Sequence, residues 1–161
     1  MNDDRVNKYI DTIEVHFNFL FEHGFRIVHT FYDAEHFGNW VVVLSSQEFS
    51  FSFIQDRSYI SMGIGSIRKR FEFKKLSWLS LEALIYFLTD EKEYIRPYNG
   101  DHRDYSKQLQ ELAEITRKYY DQITNFMMNR FDIDYYTVRG LTEKINDLNL
   151  QELRERKNKK I

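Results

Sequence analysis

Residues 40–65 constrain the fold more than any other stretch. They read Trp40-Val41-Val42-Val43-Leu44, then Phe49-Ser50-Phe51-Ser52-Phe53-Ile54, a polar Gln55-Asp56-Arg57-Ser58, and Tyr59-Ile60-Ser61-Met62-Gly63-Ile64. Three short apolar runs separated by polar turns, two of them alternating with period two, predict consecutive antiparallel strands. Side chains two apart share a face of a strand. The pattern therefore turns Phe49, Phe51, Phe53, Ile60, Met62 and Ile64 toward a core. Ser50, Ser52, Tyr59, Ser61 and Gly63 take the opposite, barer face. Trp40–Leu44 is apolar on both faces and reads as an interior strand. A first strand over Phe25–Tyr32, with Phe25, Ile27, His29 and Phe31 sharing a face, and a short fifth around Arg70–Phe73 complete a meander of four to five strands.

The period lengthens on either side of the meander. Val6, Ile10, Ile13, Phe17, Leu20 and Phe21 draw one helical stripe, capped by Asn2, Asp3 or Asp4. Gly24 closes that helix in the left-handed region, with Leu20 and Phe25 as the flanking apolar pair. Ser80 is placed to cap a helix carrying Leu81, Leu84, Ile85 and Leu88. Residues 91–100 hold the sole proline, Pro97, and an Asn99-Gly100 turn signal. This loop separates a helix–meander–helix part (1–90) from a helical part (101–161) within one domain spanning residues 1–161. Tyr105, Leu109, Leu112, Thr116, Tyr119, Ile123 and Phe126 keep helical period over a predicted length of ~40 Å. A break at Phe131–Tyr136, a last helix through Val138, Leu141, Ile145 and Leu148, and a frayed Arg154–Lys160 are expected to follow. The class is α+β: an antiparallel four- to five-stranded meander packed on helices, with a long C-terminal helical hairpin.

Composition acts mainly by exclusion. Lys and Arg number 23 against 25 Asp and Glu, a net charge of −2, so nothing global draws the chain to nucleic acid or an anionic membrane. Cysteine is absent, which removes disulfides and thiolate metal ligands and agrees with a reducing cytoplasm. The start, Met1-Asn2-Asp3-Asp4-Arg5, lacks the basic and apolar regions of a secretory signal, and no apolar run approaches the ~20 residues of a membrane helix. A soluble cytoplasmic protein is expected. Aromatic residues reach 17%, which suits a packed core and, second, a ring-rich binding surface.

The chain carries little that reads as catalysis. Asp56 with Glu72 and Lys74 follows the Asp…Glu-x-Lys order of metal-dependent nucleases, where two carboxylates hold Mg²⁺ and a lysine stabilises charge. The same tripeptide arises from charge alternation on an exposed strand. Arg68, Lys69 and Arg70 with Lys74 and Lys75 read as a solvated basic face. His16 and His23 share a helix face but lie ~10 Å apart, too far to chelate one ion. His102-Arg103-Asp104 copies a kinase catalytic-loop triplet without the glycine-rich loop or Asp-Phe-Gly that would go with it, and reads as a helix start. No metal, cofactor or enzymatic activity is expected.

Phe19-Leu20-Phe21-Glu22-His23-Gly24-Phe25, followed by Val41-Val42-Val43-Leu44-Ser45-Ser46 and Phe53-Ile54-Gln55-Asp56-Arg57, resembles a broad group of small bacterial α+β proteins. Some members of that group are immunity proteins of polymorphic toxin systems. The resemblance covers about residues 6–88 and implies binding rather than catalysis. The leading expectation is therefore recognition of a protein partner, a toxin among the candidates. The binding residues would be Asp56, Arg57 and Tyr59, with the loop Asp33–Asn39 beside them. Two alternatives stand next to it: a nuclease-like enzyme using Asp56, Glu72 and Lys74, and a homodimer formed through the long helix at Tyr120, Met127 and Met128.

Overall fold

A computed structural model describes residues 4–67 and 78–160. The elements in chain order are α1 (Asp4–His16), α2 (Asn18–Glu22), β1 (Arg26–Asp33), β2 (Asn39–Ser45), β3 (Phe49–Asp56), β4 (Tyr59–Ser66), β5 (Trp78–Ser80), α3 (Leu81–Leu88), α4 (Tyr105–Lys118), α5 (Tyr120–Asn129) and α6 (Phe131–Lys159). The five strands form one antiparallel sheet in the order β1-β2-β3-β4-β5. This is the meander of an α+β fold. The fifth strand lies at Trp78–Ser80, and Arg70–Phe73 fall outside the described residues. Three residues are too few for periodicity to reveal. Ser80 ends β5 and also caps α3, its Oγ accepting from the Ala83 amide at 3.4 Å.

Register gathers most of the apolar side chains on one face of the sheet. Leu44 pairs with Phe51, and Phe51 with Ile64. Together with Trp40, Val42, Phe49, Phe53, Met62 and Leu79 these side chains are buried. The N-terminal helices supply the rings that close over them. Tyr9 stacks on Trp40 with centroids 4.7 Å apart, and Phe17 meets Phe53 edge-on at 4.8 Å. Offset and edge-to-face geometry suits the ring quadrupoles, so rings fill this core without face-to-face repulsion.

Several expected boundaries move, each for a local reason. The first helix is broken at Phe17, whose φ and ψ of −107° and 26° turn its ring onto Phe53. Gly24, at φ +89°, ends α2 with both bonds of a Schellman closure: Phe25 N–H to Leu20 C=O and Gly24 N–H to Phe21 C=O, each 3.1 Å. In β1 the register shifts between Ile27 and His29. This bulge inserts Val28, so Thr30 and Tyr32 turn inward while His29 and Phe31 turn outward, against the expected single face. The long helix also divides. Buried Thr116 donates its hydroxyl to the Leu112 carbonyl at 2.7 Å, a bond that bends helices, and Tyr119 then separates α4 from α5.

At the other end, Arg130 alone interrupts the helix, and α6 runs 29 residues through Tyr136 to Lys159, taking in all but the last residue of the Arg154–Lys160 stretch expected to fray. Its Phe131, Tyr135, Val138 and Ile145 are buried, and α3 and β5 are its principal neighbours beside α5. Of the residues named for a dimer helix, Tyr120 is half-buried against Phe19 and His23, Met127 is buried and Met128 is exposed. No helix of the described residues is long and apolar enough to cross a membrane.

Candidate interaction surface

The face of the sheet away from the core is not uniformly bare. Phe31, Val41, Ile54 and Ser61 form one cross-strand row on it, and His29, Val43, Ser52, Gly63 and Ser80 form the next. Ser50 and Ser52, expected to be open, are only 9% and 5% exposed. Trp78 explains part of the closure. A Cβ on Gly65 would lie 2.9 Å from Trp78 Cε3, so the indole rests directly on the β4 backbone. The open part is the other end of the face, where Phe31, Ile54 and Tyr59 are exposed. A shallow groove of about 430 Å³ runs between Val41, Ile54, Ser61 and Trp78.

Two turns border that open end, and both are tightly held. Asp33 Oδ1 accepts from the Glu35 and His36 amides at 3.1 Å, and its Oδ2 meets His36 Nδ1 at 2.8 Å. Desolvation acts against it, but the bonds from the His36 side chain and amide keep the Asp33 carboxyl below the usual carboxylate range. In the β3–β4 turn, Asn39 Oδ1 accepts from the Arg57 amide at 2.6 Å, while Asn39 Nδ2 donates to Asp56 Oδ1 at 3.3 Å. Gln55 Nε2 donates to the Arg57 carbonyl at 2.8 Å, and the Trp40 indole N–H donates to Gln55 Oε1. The core thus reaches the turn through Trp40.

Each turn holds a non-glycine residue in the left-handed region: Phe37 at φ 63° and Arg57 at φ 60°. Both side chains are exposed, Phe37 at 79%, and the Arg57 guanidinium stands 6.0 Å from the Phe37 ring. Tyr59 flanks them. Its hydroxyl hydrogen-bonds His102 Nε2 at 3.3 Å with ring centroids 4.4 Å apart. Gln108, buried on α4, secures the same turn from below. It accepts from the Ile60 amide at 3.1 Å and donates to the Ser58 and His102 carbonyls at 2.8 and 3.0 Å.

Asp56, Arg57 and Tyr59 are therefore brought together at one corner of the sheet, with Asp33 alongside. Glu72 and Lys74 of the nuclease reading, and the Arg68–Lys75 basic cluster, lie outside the described residues. Among the described residues no group of three or more His, Cys, Asp or Glu is placed to hold a metal. His16 Nε2 hydrogen-bonds Ser106 Oγ, and His23 Nδ1 donates to the Phe19 carbonyl. Asp104 caps α4, accepting from the Lys107 amide at 3.0 Å.

Sequence reasoning picked out the loop Asp33–Asn39 but not Phe37 or Asn39 within it, and it missed Gln108. Gln108 had a signal, because it is a polar residue on the inward stripe of α4 that runs through Tyr105, Leu109 and Leu112. Phe37 and Asn39 had none that separates them from ordinary turn residues. No family model matches the chain, and neither a curated protein nor a solved structure matches it.

Proposed function

We propose that this chain binds a protein partner through the corner formed by Phe37, Arg57, Tyr59 and the Phe31–Ile54 row. One observation carries the reading: Phe37 and Arg57 are non-glycine residues at positive φ, neighbours across two turns, with exposed side chains. An L-residue in that region costs ~1–2 kcal/mol, which glycine would avoid. Backbone strain of this kind concentrates where a side chain is needed for binding or catalysis. The side chains retained are an aromatic and an arginine, the types that dominate binding energy at interfaces. The bonds from Asp33, Asn39, Gln55 and Gln108 hold the corner in place, so little order remains to be imposed when a partner docks. The partner that fits presents an apolar pocket rimmed by carboxylates, the pocket for Phe37 and the rim for Arg57.

The resemblance to immunity proteins refines the proposal: the partner is a toxin, occluded sterically in a bacterial cytoplasm. The experiment is co-expression with a toxin encoded beside this chain. Wild type should restore growth, and a Phe37→Gly/Arg57→Gly double variant should not, although its melting temperature equals or exceeds that of wild type. A photo-crosslinking residue at position 37 should trap the toxin. Rescue by the double variant at wild-type expression, or a wild-type protein that stays alone beside every neighbouring gene product, refutes the assignment.

A further inference from the structure

Tyr59 also lines a second recess, of about 830 Å³, enclosed by β4, α3, α4, α6 and the loop that carries Pro97. That volume is in the range of small-molecule sites, ~300–1,000 Å³. Its walls include Tyr94, Tyr98, Ile115 and Leu153, and among the polar side chains that also line it are Glu82 and Asn149. Glu82 is the second residue of α3, and among the described residues no cation forms an ion pair with it. Burial raises its carboxyl above the ordinary glutamate range, while hydrogen bonding from Asn149 pulls the other way. Asn149 Oδ1 is itself buried without a partner. A half-buried carboxylate with no cation paired to it and a buried amide oxygen with no donor thus line the same recess. A buried acceptor without a donor is costly.

None of the cations that line the recess is paired with Glu82. Arg96 and Arg156 both engage Glu152, at 3.7 and 3.2 Å, and Arg156 also donates to the Tyr98 carbonyl at 3.4 Å. Lys107 stands one turn from Glu111 on α4 and forms no ion pair with Glu82. We propose that the recess binds a small organic cation, a primary ammonium or guanidinium on an apolar body, with its head on Glu82 and Asn149 Oδ1. Such a head has donors and no acceptor, and its charge neutralises Glu82. Tyrosine rings attract cations, and the aliphatic wall takes the body. Entry of the cation favours the ionised carboxylate. Because burial has raised the carboxyl pKa, binding at lower pH expels a proton, so affinity rises with pH through the Glu82 titration. The cation site does not rest on the partner-binding reading, although Tyr59 and Gln108 border both the corner and the recess.

The test is calorimetric titration of the full chain with phenethylammonium and with agmatine, using neutral 2-phenylethanol as the matched control. At least one cation should bind one-to-one, and tighter as pH rises from about 5 to about 8. Phenethylammonium should exceed the alcohol by about tenfold or more, the weight of a charge-assisted hydrogen bond. E82Q, which keeps the side-chain shape, should lose that margin. Equal binding of alcohol and ammonium, wild-type affinity in E82Q, or no binding of either cation overturns the proposal. The ammonium–alcohol comparison uses wild type alone and decides the matter should E82Q fail to fold.

Discussion

Substituting alanine for Gly65 tests how the outer face of the sheet is closed. The new Cβ would meet Trp78 Cε3, Cδ2 and Cζ3 at 2.9, 3.0 and 3.1 Å, all inside ordinary carbon contact. Gly65 pairs with Trp78 in the β4–β5 register, so the ring and the backbone beneath it are fixed by the same short ladder. Moving the indole costs about 1–3 kcal/mol, the usual range for overpacking. Glycine inside a strand is itself unfavourable by ~0.5–1 kcal/mol, which alanine returns. The net expectation is a loss of about 1–2 kcal/mol, read from urea unfolding followed by circular dichroism. The decisive comparison is the same substitution in a Trp78→Leu background. Without the indole the clash is gone, and Gly65→Ala should stabilise by roughly 0.5 kcal/mol. A change of the same sign in both backgrounds, or a stabilising Gly65→Ala in wild type, would show that the ring does not lie on β4.

Two further outcomes follow from single positions. Gly24 sits at φ +89° with nothing within 4 Å of an added Cβ, so Gly24→Ala should cost only the backbone term, ~1–2 kcal/mol, and Gly24→Asn less; equal urea midpoints for all three proteins would count against the Schellman ending. Asp101 receives a fork from Arg103, Nε at 3.1 Å and Nη2 at 2.9 Å, and these bonds with that from the Arg103 amide hold its carboxyl at about 2. Because the folded value lies below the unfolded one, the pair supports folding above ~pH 4 and ceases to do so as pH falls through about 2. A carbon-detected titration should show a midpoint near 2 for Asp101 in wild type, moving toward ~3.9 in Arg103→Gln. A midpoint unmoved by that change would assign the shift to another cause.

The strands with clean alternation were legible because their inner positions are apolar at every second residue over Phe49–Phe53 and again over Ile60–Ile64. The Gly24 ending was legible because left-handed backbone selects for glycine. What escaped is what a one-dimensional period cannot carry. A bulge at Val28 adds one residue and reverses the facing of everything after it. Thr116 reads as one more member of a helical stripe, yet its hydroxyl competes for the Leu112 carbonyl. β5 is too short to alternate, although it is the strand whose Trp78 closes the outer face. At the corner, Asp56, Arg57 and Tyr59 could be picked out because they fall at a turn. Their supports Asn39 and Gln108 lie 18 and 50 residues from the backbone groups they hold, and such pairings exist only once the sheet and α4 have come together.

The position of α6 has a consequence for the order of assembly. Its Asn149, Leu153 and Arg156 form one wall of the recess, and its Lys144 reaches Glu91 at 2.5 Å while Arg156 reaches the Tyr98 carbonyl. The loop that carries Pro97 is thus tied down by α6. On the ribosome the meander and α1 have all their ring contacts available before α6 emerges, whereas α3, already seated on β4 and β5, waits for its remaining neighbour until a helix some 50 residues later in the chain. The corner of Phe37 and Arg57 is complete once α4 supplies Gln108; the recess of Glu82 is complete only when synthesis has passed Arg156. The two sites therefore mature at different times, and a chain cut short within α6 would present the first without the second.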